Sequence, residues 1–176
     1  MIKRLHQFVE DANSMSWGAF KDKHNHHVVV MLPPEDTSFE DTLFETLKFS
    51  SESEDSRPPI NDDYRVGILT QRTGRPADKR PLTIGRARSN DIILQDIQVS
   101  QVHALFEKAA DSTWTICDNG STNGTYRNGG RLTSGVWSPL RTSDTLKIGP
   151  GLSAVFFGPA DFYQFLRTAE ARAAFL

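Results

Sequence analysis

T-I-G-R-A-R-S-N-D-I-I-L-Q-D-I-Q-V-S-Q-V-H-A-L-F occupies residues 83–106, and W-T-I-C-D-N-G-S-T-N-G-T follows at residues 114–125. Short apolar and β-branched runs are separated here by Gly, Asn, Asp and Ser, which is the pattern of short strands joined by tight turns. Trp114 with Ile116 shows the alternation expected of a strand with one face on a core. The stretch therefore predicts β-structure whose loops carry small polar side chains.

The strand pattern extends along most of the chain after residue 61. Glycine, proline, asparagine or aspartate punctuates most of the gaps between the apolar runs. Many short strands at close spacing predict a mainly β fold, a β-sandwich or barrel, rather than a parallel α/β sheet. The predicted strands are residues 64–71, 82–84, 91–94, 103–108, 113–118, 124–127, 145–148 and 152–157.

Helical patterns flank this β region on both sides. Apolar residues recur at helix spacing within residues 1–23, where Ser16 is placed to cap a second short helix. Another stripe, led by Phe162, Phe165 and Leu166, occupies the tail. We expect the two helical ends to pack together or against the sandwich, with a dimer interface as the competing use of the same stripe.

Composition changes divide the chain into four parts. The linker contains S-S-E-S-E-D-S-R-P-P at residues 50–59, which holds too little apolar surface to fold alone. A capping box before an imperfect apolar stripe predicts a helix near residues 37–47. The parts are an N-terminal helical extension with a short strand (1–49), an acidic Pro-containing linker (50–60), the β-sandwich (61–158) and a C-terminal amphipathic helix (159–176).

Charge and composition exclude several classes of function. The net charge is -2 and the pI is about 6.2, so no overall positive field favours nucleic acid. Cys117 is the single cysteine, which fits a reducing compartment. No apolar run approaches the roughly 18 residues of a membrane span, and the first residues lack a signal-peptide hydrophobic region. We expect a soluble, cytoplasmic protein without a membrane partner.

Three histidines, His24, His26 and His27, stand close together after the first helical segment. Their spacing is irregular and no cysteine or patterned carboxylate completes a ligand set. We expect a turn that enters a strand here, with no metal site and no cofactor.

Polar side chains cluster at the turns of the central stretch. Arg86 follows a strand, and its planar guanidinium can donate two parallel charge-assisted hydrogen bonds to a phosphate. Ser100 and Thr122 add hydroxyl donors, and Asn123 can both donate and accept, which suits an extended peptide backbone. Gly124 supplies the positive φ that a tight turn needs.

Together these residues closely resemble the forkhead-associated (FHA) domain, a β-sandwich of two sheets that binds phosphothreonine peptides through loops at one end. The resemblance covers about half of the chain, in order and with sensible loop lengths. The matching positions are Gly85-Arg86, Asp91-Ile92 with Leu94, Val99-Ser100 with His103-Ala104, Trp114, Asp118, Gly120 to Thr125, Asn128-Gly129, Leu132, Leu140, Asp144 with Leu146, and Ile148-Gly149.

The resemblance implies a role for each loop residue. Asn123 would bond the peptide backbone beside the phosphothreonine, while Gly85 and His103 would be structural. It also implies an adaptor in a Ser/Thr kinase pathway of a bacterium, whose partner is a phosphothreonine-containing protein such as a kinase or its substrate. The phosphate would be held by Arg86 and Ser100, with Gln101 and Thr122 helping.

Two other functions remain open at this point, and a third is not expected. A phosphate-independent scaffold would use the helical segments at 1–49 and 160–176 to form an oligomer. Self-recognition would place a phosphorylated N-terminal threonine in the site of the same or a neighbouring chain, with Thr37, Thr42 and Thr46 as candidates. An enzyme is not expected, because the stretch has no nucleophile elbow, phosphate-cradling Gly-Lys-Ser/Thr loop or paired acid cluster, and we assign no catalytic residue.

Overall fold

A computed structural model describes residues 1–32, 64–71, 81–109 and 111–173. Within these ranges the backbone forms twelve strands and three helices. The predicted helix at 37–47, the linker at 50–60, and Thr37, Thr42 and Thr46 lie outside the described residues. The elements are β1 (Ile2–Arg4), α1 (His6–Ser14), α2 (Trp17–Lys23), β2 (Val28–Met31), β3 (Arg65–Ile68), β4 (Leu82–Gly85), β5 (Ile92–Ile93), β6 (Ala104–Lys108), β7 (Trp114–Asp118), β8 (Thr125–Arg127), β9 (Gly130–Arg131), β10 (Ser138–Leu140), β11 (Thr145–Ile148), β12 (Leu152–Phe157) and α3 (Pro159–Ala173).

The strands form two sheets, which confirms the predicted mainly β sandwich. Sheet A has seven strands in the order β1-β3-β2-β12-β11-β8-β9, and sheet B has five in the order β10-β7-β6-β4-β5. The β4–β5 pair is parallel. Strands β1 and β2 come from outside residues 61–158, and β2 pairs with β3 on one side and β12 on the other. The sandwich seen here therefore includes strands from the N-terminal part of the chain.

Residues 2–4 correct the expectation of helix from the start of the chain. They form the edge strand β1, antiparallel to β3, with Ile2 opposite Gly67. Ile2 packs against the core between the sheets. Tertiary pairing therefore overrides the helical periodicity of its neighbours. The cap on the second helix is confirmed, because Ser16 accepts a hydrogen bond from the backbone N–H of Ala19 at 3.4 Å.

Sheet A is buried on both faces where β2 runs, which explains the unbroken apolar sequence V-V-V-M. Val29 and Met31 lie in the core between the two sheets. Val28 and Val30 lie on the other face, in a second apolar cluster. The side chains that α1, α2 and α3 contribute to that second cluster include Phe8, Ala12, Phe20, Phe162 and Leu166.

The three helices form what we call the helical cap, on the face of sheet A that points away from sheet B. Phe8 of α1 meets Phe162 of α3 edge to face, with ring centroids 5.3 Å apart. The Tyr163 hydroxyl donates to the carbonyl of Met15 at 3.1 Å. The prediction that the two helical ends pack together is confirmed, and Phe162 and Leu166 are covered within one chain. None of the helices in the described part of the chain is long and apolar enough to cross a membrane.

The register of sheet B brings three loops to one end of the sandwich. Ile84 of β4 lies opposite Ala104 of β6, and Ala104 lies opposite Asp118 of β7. The end of β4, the start of β6 and the end of β7 therefore share one edge. We call the loops at residues 86–91, 94–103 and 119–124 the loop end.

Candidate functional site

Arg86 stands at the first position of the loop after β4 and is exposed. Its backbone N–H donates to the carbonyl of Ser100 at 2.9 Å, and its side-chain Nε donates to the carbonyl of Val99 at 3.2 Å. Within the described residues, no acceptor engages its two terminal nitrogens. The arginine is thus fixed by its Nε beside Ser100, with the terminal fork left for an anion.

Arg86 lies beside Ser100 because the backbone at Gly85 closely approaches the backbone of residues 100–103. A Cβ added to Gly85 would lie 2.5 Å from the carbonyl oxygen of Gln101 and 2.9 Å from the backbone nitrogen of His103. Contacts below about 3 Å are not tolerated by backbone atoms, so any side chain at this position would force the loops apart.

Ser100 and Thr122 join the second and third loops directly. The backbone N–H of Thr122 donates to the Ser100 hydroxyl oxygen at 3.1 Å, and the two hydroxyl oxygens are 3.5 Å apart. Ser100 accepts in the first contact and donates in the second. Because the second contact, at 3.5 Å, is at the long limit of a hydrogen bond, the Ser100 hydroxyl proton can be donated to a ligand instead. Two hydroxyl groups therefore lie together beside the arginine.

Asn123 and Gln98 bridge the same two loops further out. The side-chain Nδ2 of Asn123 donates to the carbonyl of Gln98 at 2.8 Å, and Asn123 is exposed. This bond orients the amide while leaving its oxygen for a peptide N–H. Gln101 is exposed, and the bonds that involve it run through its backbone carbonyl, to Ala87 N and Asn90 Nδ2. A contact of the Gln101 side chain with phosphate stays a prediction.

His103 lies beneath these loops and is fully buried. Its Nδ1 accepts from the backbone N–H of Ser100 at 3.1 Å, and its Nε2 faces the carbonyl of Gly124 at 3.1 Å. An Nδ1 that accepts leaves Nε2 to carry the proton, so the neighbours fix a neutral tautomer. Burial lowers the pKa of His103, although the bond to Gly124 and the charge of Asp118 oppose this. The histidine links the Ser100 and Gly124 backbones as a neutral brace.

Asp118 shapes the third loop from inside. One carboxylate oxygen accepts from the hydroxyls of Ser121 at 2.5 Å and Thr125 at 2.7 Å, and the other accepts from the Ser121 backbone N–H at 3.1 Å. Burial raises the pKa of Asp118, but the bonds from Ser121 and Thr125 outweigh it and hold the pKa below its ordinary value. At the end of this loop Gly124 has φ +84°, which a side chain would strain.

The part of the chain that carries these loops is similar to known proteins. The FHA domain family model matches residues 82–149, which contain all three loops. An oxoglutarate dehydrogenase inhibitor of Corynebacterium diphtheriae is 33% identical over 111 residues, which are 60% of this chain and 72% of that protein. The chain belongs to the FHA domain family.

Two further likenesses agree with this membership. The FHA domain-containing protein FhaB of Mycobacterium tuberculosis is 38% identical over 64 residues, which are 36% of this chain and 41% of FhaB. A solved structure, an engineered FHA with a Myc-pTBD peptide, is 18% identical, has a TM-score of 0.50 and covers 81% of this chain and 98% of its own, which shows the shared fold. The chain spans about half the length of most curated relatives that it matches.

The structure gathers most of the predicted residues of this FHA chain at the loop end. Hydrogen bonds link Ser100 to Thr122 and place Asn123 against the second loop. Gly85 and His103 lie underneath. One residue was missed: Asn90 is fully buried and its Nδ2 donates to the carbonyls of Ala87 at 2.8 Å and Gln101 at 2.6 Å. The polar residues between the predicted strands 82–84 and 91–94 indicated a turn, but not which side chain is buried.

The histidines near residue 25 have separate surroundings. His24 faces Asp11 at 2.7 Å and packs on the ring of Phe20, whereas His27 packs between Trp114 and Phe156. Within the described ranges, no group of three His, Cys, Asp or Glu side chains is arranged to hold a metal ion.

Proposed function

We propose that this FHA-family protein is a non-enzymatic module that binds phosphothreonine-containing protein segments at its loop end. The observation that carries the proposal is the arrangement of Arg86, Ser100 and Thr122, an arginine fork beside two hydroxyls, on backbones locked together by hydrogen bonds. A phosphorylated side chain brings a charge of about -1.5 to -2 and three strong acceptor oxygens at neutral pH. This set of donors matches those oxygens.

The adjacent amide extends recognition from the phosphate to the chain that bears it. Asn123 is oriented by Gln98 and can bond an extended peptide backbone, as the FHA resemblance implies. A small apolar recess for the threonine methyl would favour phosphothreonine over phosphoserine by about tenfold. The partner would then be a protein of a Ser/Thr kinase pathway, either a kinase or its substrate, and the protein would act as an adaptor in the cytoplasm.

The proposal is tested by fluorescence anisotropy with an oriented phosphothreonine peptide library and its phosphoserine and unphosphorylated counterparts. Wild-type protein should select phosphothreonine, and Arg86→Ala should weaken binding by about 100-fold, because two charge-assisted hydrogen bonds are lost. Arg65→Ala is the matched control, since Arg65 is an exposed arginine on β3. Equal binding of phosphorylated and unphosphorylated libraries would refute the proposal.

A phosphate-independent oligomeric scaffold has less support. The apolar stripe that motivated it is led by Phe162 and Leu166, and both are buried within a single chain by the helical cap. Light scattering of the intact protein checks this point, because the packing within one chain leads us to expect a monomer.

A further inference from the structure

Three Asn-Gly pairs stand close together in the chain, at residues 119–120, 123–124 and 128–129. An asparagine cyclises most readily when glycine follows it, because glycine has no side chain to shield its backbone nitrogen. The proposed function uses Asn123 and gives the other two pairs no role. The structure, however, surrounds the three pairs very differently.

Asparagine is among the thermally labile residues of proteins, and the reaction of an Asn-Gly pair is a deamidation. The glycine nitrogen forms a bond to the asparagine Cγ, the bond from Cγ to Nδ2 breaks, and Nδ2 leaves as ammonia with the glycine proton. Water then opens the cyclic imide at either carbonyl carbon. The products are aspartate and isoaspartate, whose backbone is longer by one carbon. Ring closure needs an amide that can turn toward the glycine and free space around that glycine.

The first pair, Asn119-Gly120, is weakly held. Asn119 is exposed, and within the described residues its Nδ2 donates only to the carbonyl of Val102, at a long 3.4 Å. Gly120 is exposed as well. A Cβ added to it would meet, apart from its chain neighbours, no atom closer than the Ser134 hydroxyl oxygen at 3.8 Å. No acceptor in the described part of the chain takes the Gly120 backbone N–H. Both requirements for ring closure are met.

The second pair, Asn123-Gly124, is held at both residues. Nδ2 of Asn123 donates to the carbonyl of Gln98 at 2.8 Å, within the range of well-formed hydrogen bonds. Gly124 is buried, and a Cβ added to it would lie 2.7 Å from Nε of Arg131. Its carbonyl faces Nε2 of His103 at 3.1 Å. Neither the amide nor the glycine can move without breaking these contacts.

The third pair, Asn128-Gly129, is held by the asparagine side chain alone. Nδ2 of Asn128 donates to the Asp144 carboxylate at 2.7 Å, and Oδ1 accepts from the backbone N–H of Thr145 at 2.9 Å. Gly129 lies in open space, since an added Cβ would meet nothing within 4 Å. Turning this amide toward the glycine breaks two hydrogen bonds, and each lowers the population of the reactive conformer by about tenfold.

We propose that Asn119 is a site of spontaneous deamidation, and that its conversion to isoaspartate weakens phosphopeptide binding at the loop end. The site itself follows from the restraints on the three pairs. The effect on binding rests on the proposed function.

The position of Asn119 at the start of the third loop connects the reaction to binding. Its product carries an added backbone carbon before Gly120, which displaces Ser121 from the Asp118 carboxylate that accepts from its hydroxyl at 2.5 Å and its backbone N–H at 3.1 Å. Ser121 directly precedes Thr122, whose backbone N–H is bonded to the Ser100 hydroxyl oxygen. Both products also add a negative charge to a loop that would bind an anion.

Peptide mapping by tandem mass spectrometry tests the site on the full chain, during incubation at mildly alkaline pH. The folded protein should deamidate at Asn119 about tenfold faster than at Asn123 or Asn128, because those two amides must first break well-formed hydrogen bonds. In guanidinium chloride the three rates should become similar, since all three asparagines precede glycine. Equal rates in the folded protein, or an unchanged Asn119, would overturn the assigned site.

Fluorescence anisotropy with a phosphothreonine peptide library tests the effect on binding. Incubated wild-type protein should bind about tenfold more weakly than fresh protein, because the bond between Thr122 and Ser100 is disturbed. Asn119→Gln is the matched control: it keeps an amide that does not form the five-membered ring, and it should hold its affinity through the incubation. Asn119→Asp adds the charge on an ordinary backbone and should lose less affinity than the incubated protein.

Each other result of the binding experiment overturns the link between Asn119 and binding. Full affinity in a sample whose Asn119 is converted would refute the link while the proposed function stands. An equal loss in incubated Asn119→Gln would place the damage elsewhere, and an equal loss in fresh Asn119→Asp would mean that isoaspartate is not its cause. If fresh wild-type protein does not distinguish phosphorylated from unphosphorylated peptides, the proposed function fails and the link fails with it.

Discussion

The loop end and the helical cap are held together in different ways. At the loop end, buried polar groups such as His103 and Asn90 donate and accept hydrogen bonds between backbones. In the helical cap, aromatic rings pack on one another, with Phe20 and Tyr163 centroids 5.0 Å apart and Phe157 and Phe165 centroids 5.1 Å apart. Hydrogen bonds fix direction, whereas apolar burial contributes free energy with little directional demand.

This contrast predicts that ligand binding and folding stability depend on different residues. The proposed phosphate site requires donors held to within a fraction of an ångström, and the directional bonds around His103 suit that requirement. The cap covers Val28, Val30 and Val66 on the outer face of sheet A and contributes apolar burial. We therefore expect substitutions of buried residues in the cap to lower the free energy of unfolding, and substitutions at the loop end to lower affinity.

The largest effect on stability is expected for Phe162→Ala in the cap. Phe162 is 1% exposed and contacts Phe8 and Phe20. Its truncation should lower the free energy of unfolding by about 3 to 5 kcal/mol, because it removes apolar burial and leaves a cavity. Urea denaturation measures the loss. Phosphopeptide affinity, measured where the variant is still folded, should stay at the wild-type value.

Phe165→Ala is the graded control for this substitution. Phe165 is only partly buried and stacks on Phe157, so its truncation should cost less. Equal losses of stability for the two variants would contradict the expectation that the cost follows burial. A loss of affinity in folded Phe162→Ala would show that the cap and the loop end are coupled.

A matched pair of glycine substitutions compares the two regions next. Gly85→Ala introduces a Cβ 2.5 Å from a backbone oxygen, and should cost about 1 to 3 kcal/mol of stability and weaken phosphopeptide binding by separating the Arg86 and Ser100 loops. Gly18→Ala in α2 meets only the Ser16 hydroxyl oxygen at 4.0 Å. It should stabilise the protein by about 0.5 to 1 kcal/mol, because alanine favours helix, and leave binding unchanged.

Thermal unfolding and peptide anisotropy check both variants. The opposite signs expected from one chemical change make the pair informative. A Gly85→Ala protein with wild-type affinity would show that the close approach of the two backbones does not position Arg86.

The amount of structure that could be predicted from sequence differs between elements. Strands with several apolar residues, such as β6 and β12, were predictable because the type of each residue indicates whether its side chain is buried. The short strands β9 (Gly130–Arg131) and β10 (Ser138–Leu140) carry no such pattern, and they exist through pairing with β8 and β7. The same holds for β1, whose three residues take their conformation from β3.

The candidate site likewise has features that could be predicted from sequence and features that could not. The chemistry of Arg86 and Ser100 could be predicted from side-chain type and from the resemblance of the surrounding motif. The burial of Asn90, and the tautomer of His103 set by Ser100 and Gly124, depend on how the loops meet in three dimensions. The sequence pattern does not indicate which polar residue becomes buried where separate loops meet.

The smallest expected effect is a difference in pH dependence between the two regions. The pKa of His103 is lowered by burial, so the unfolded chain takes up a proton before the folded protein does. The contribution of neutral His103 should be complete above about pH 6.5 and should decrease as the pH falls below that value. In the cap, the pKa of Asp11 is lowered by its hydrogen bond from Lys23, despite opposing burial, with His24 adding to the effect. That contribution should be lost only as the pH falls below about 4.

Thermal unfolding of the ligand-free protein measures this difference, since the phosphate of a bound peptide itself titrates near pH 6. The midpoint difference between wild type and His103→Gln isolates His103, because other groups such as His27 titrate equally in both proteins. The difference in unfolding midpoint between wild type and His103→Gln should become smaller as the pH is lowered from neutral to about 5. The difference between wild type and Asp11→Asn should stay the same over this range. Parallel plots of unfolding midpoint against pH for wild type and His103→Gln would contradict this expectation. They would mean that the loop end does not need a neutral imidazole, because the hydrogen bonds to Ser100 and Gly124 would not distinguish the protonation states of His103.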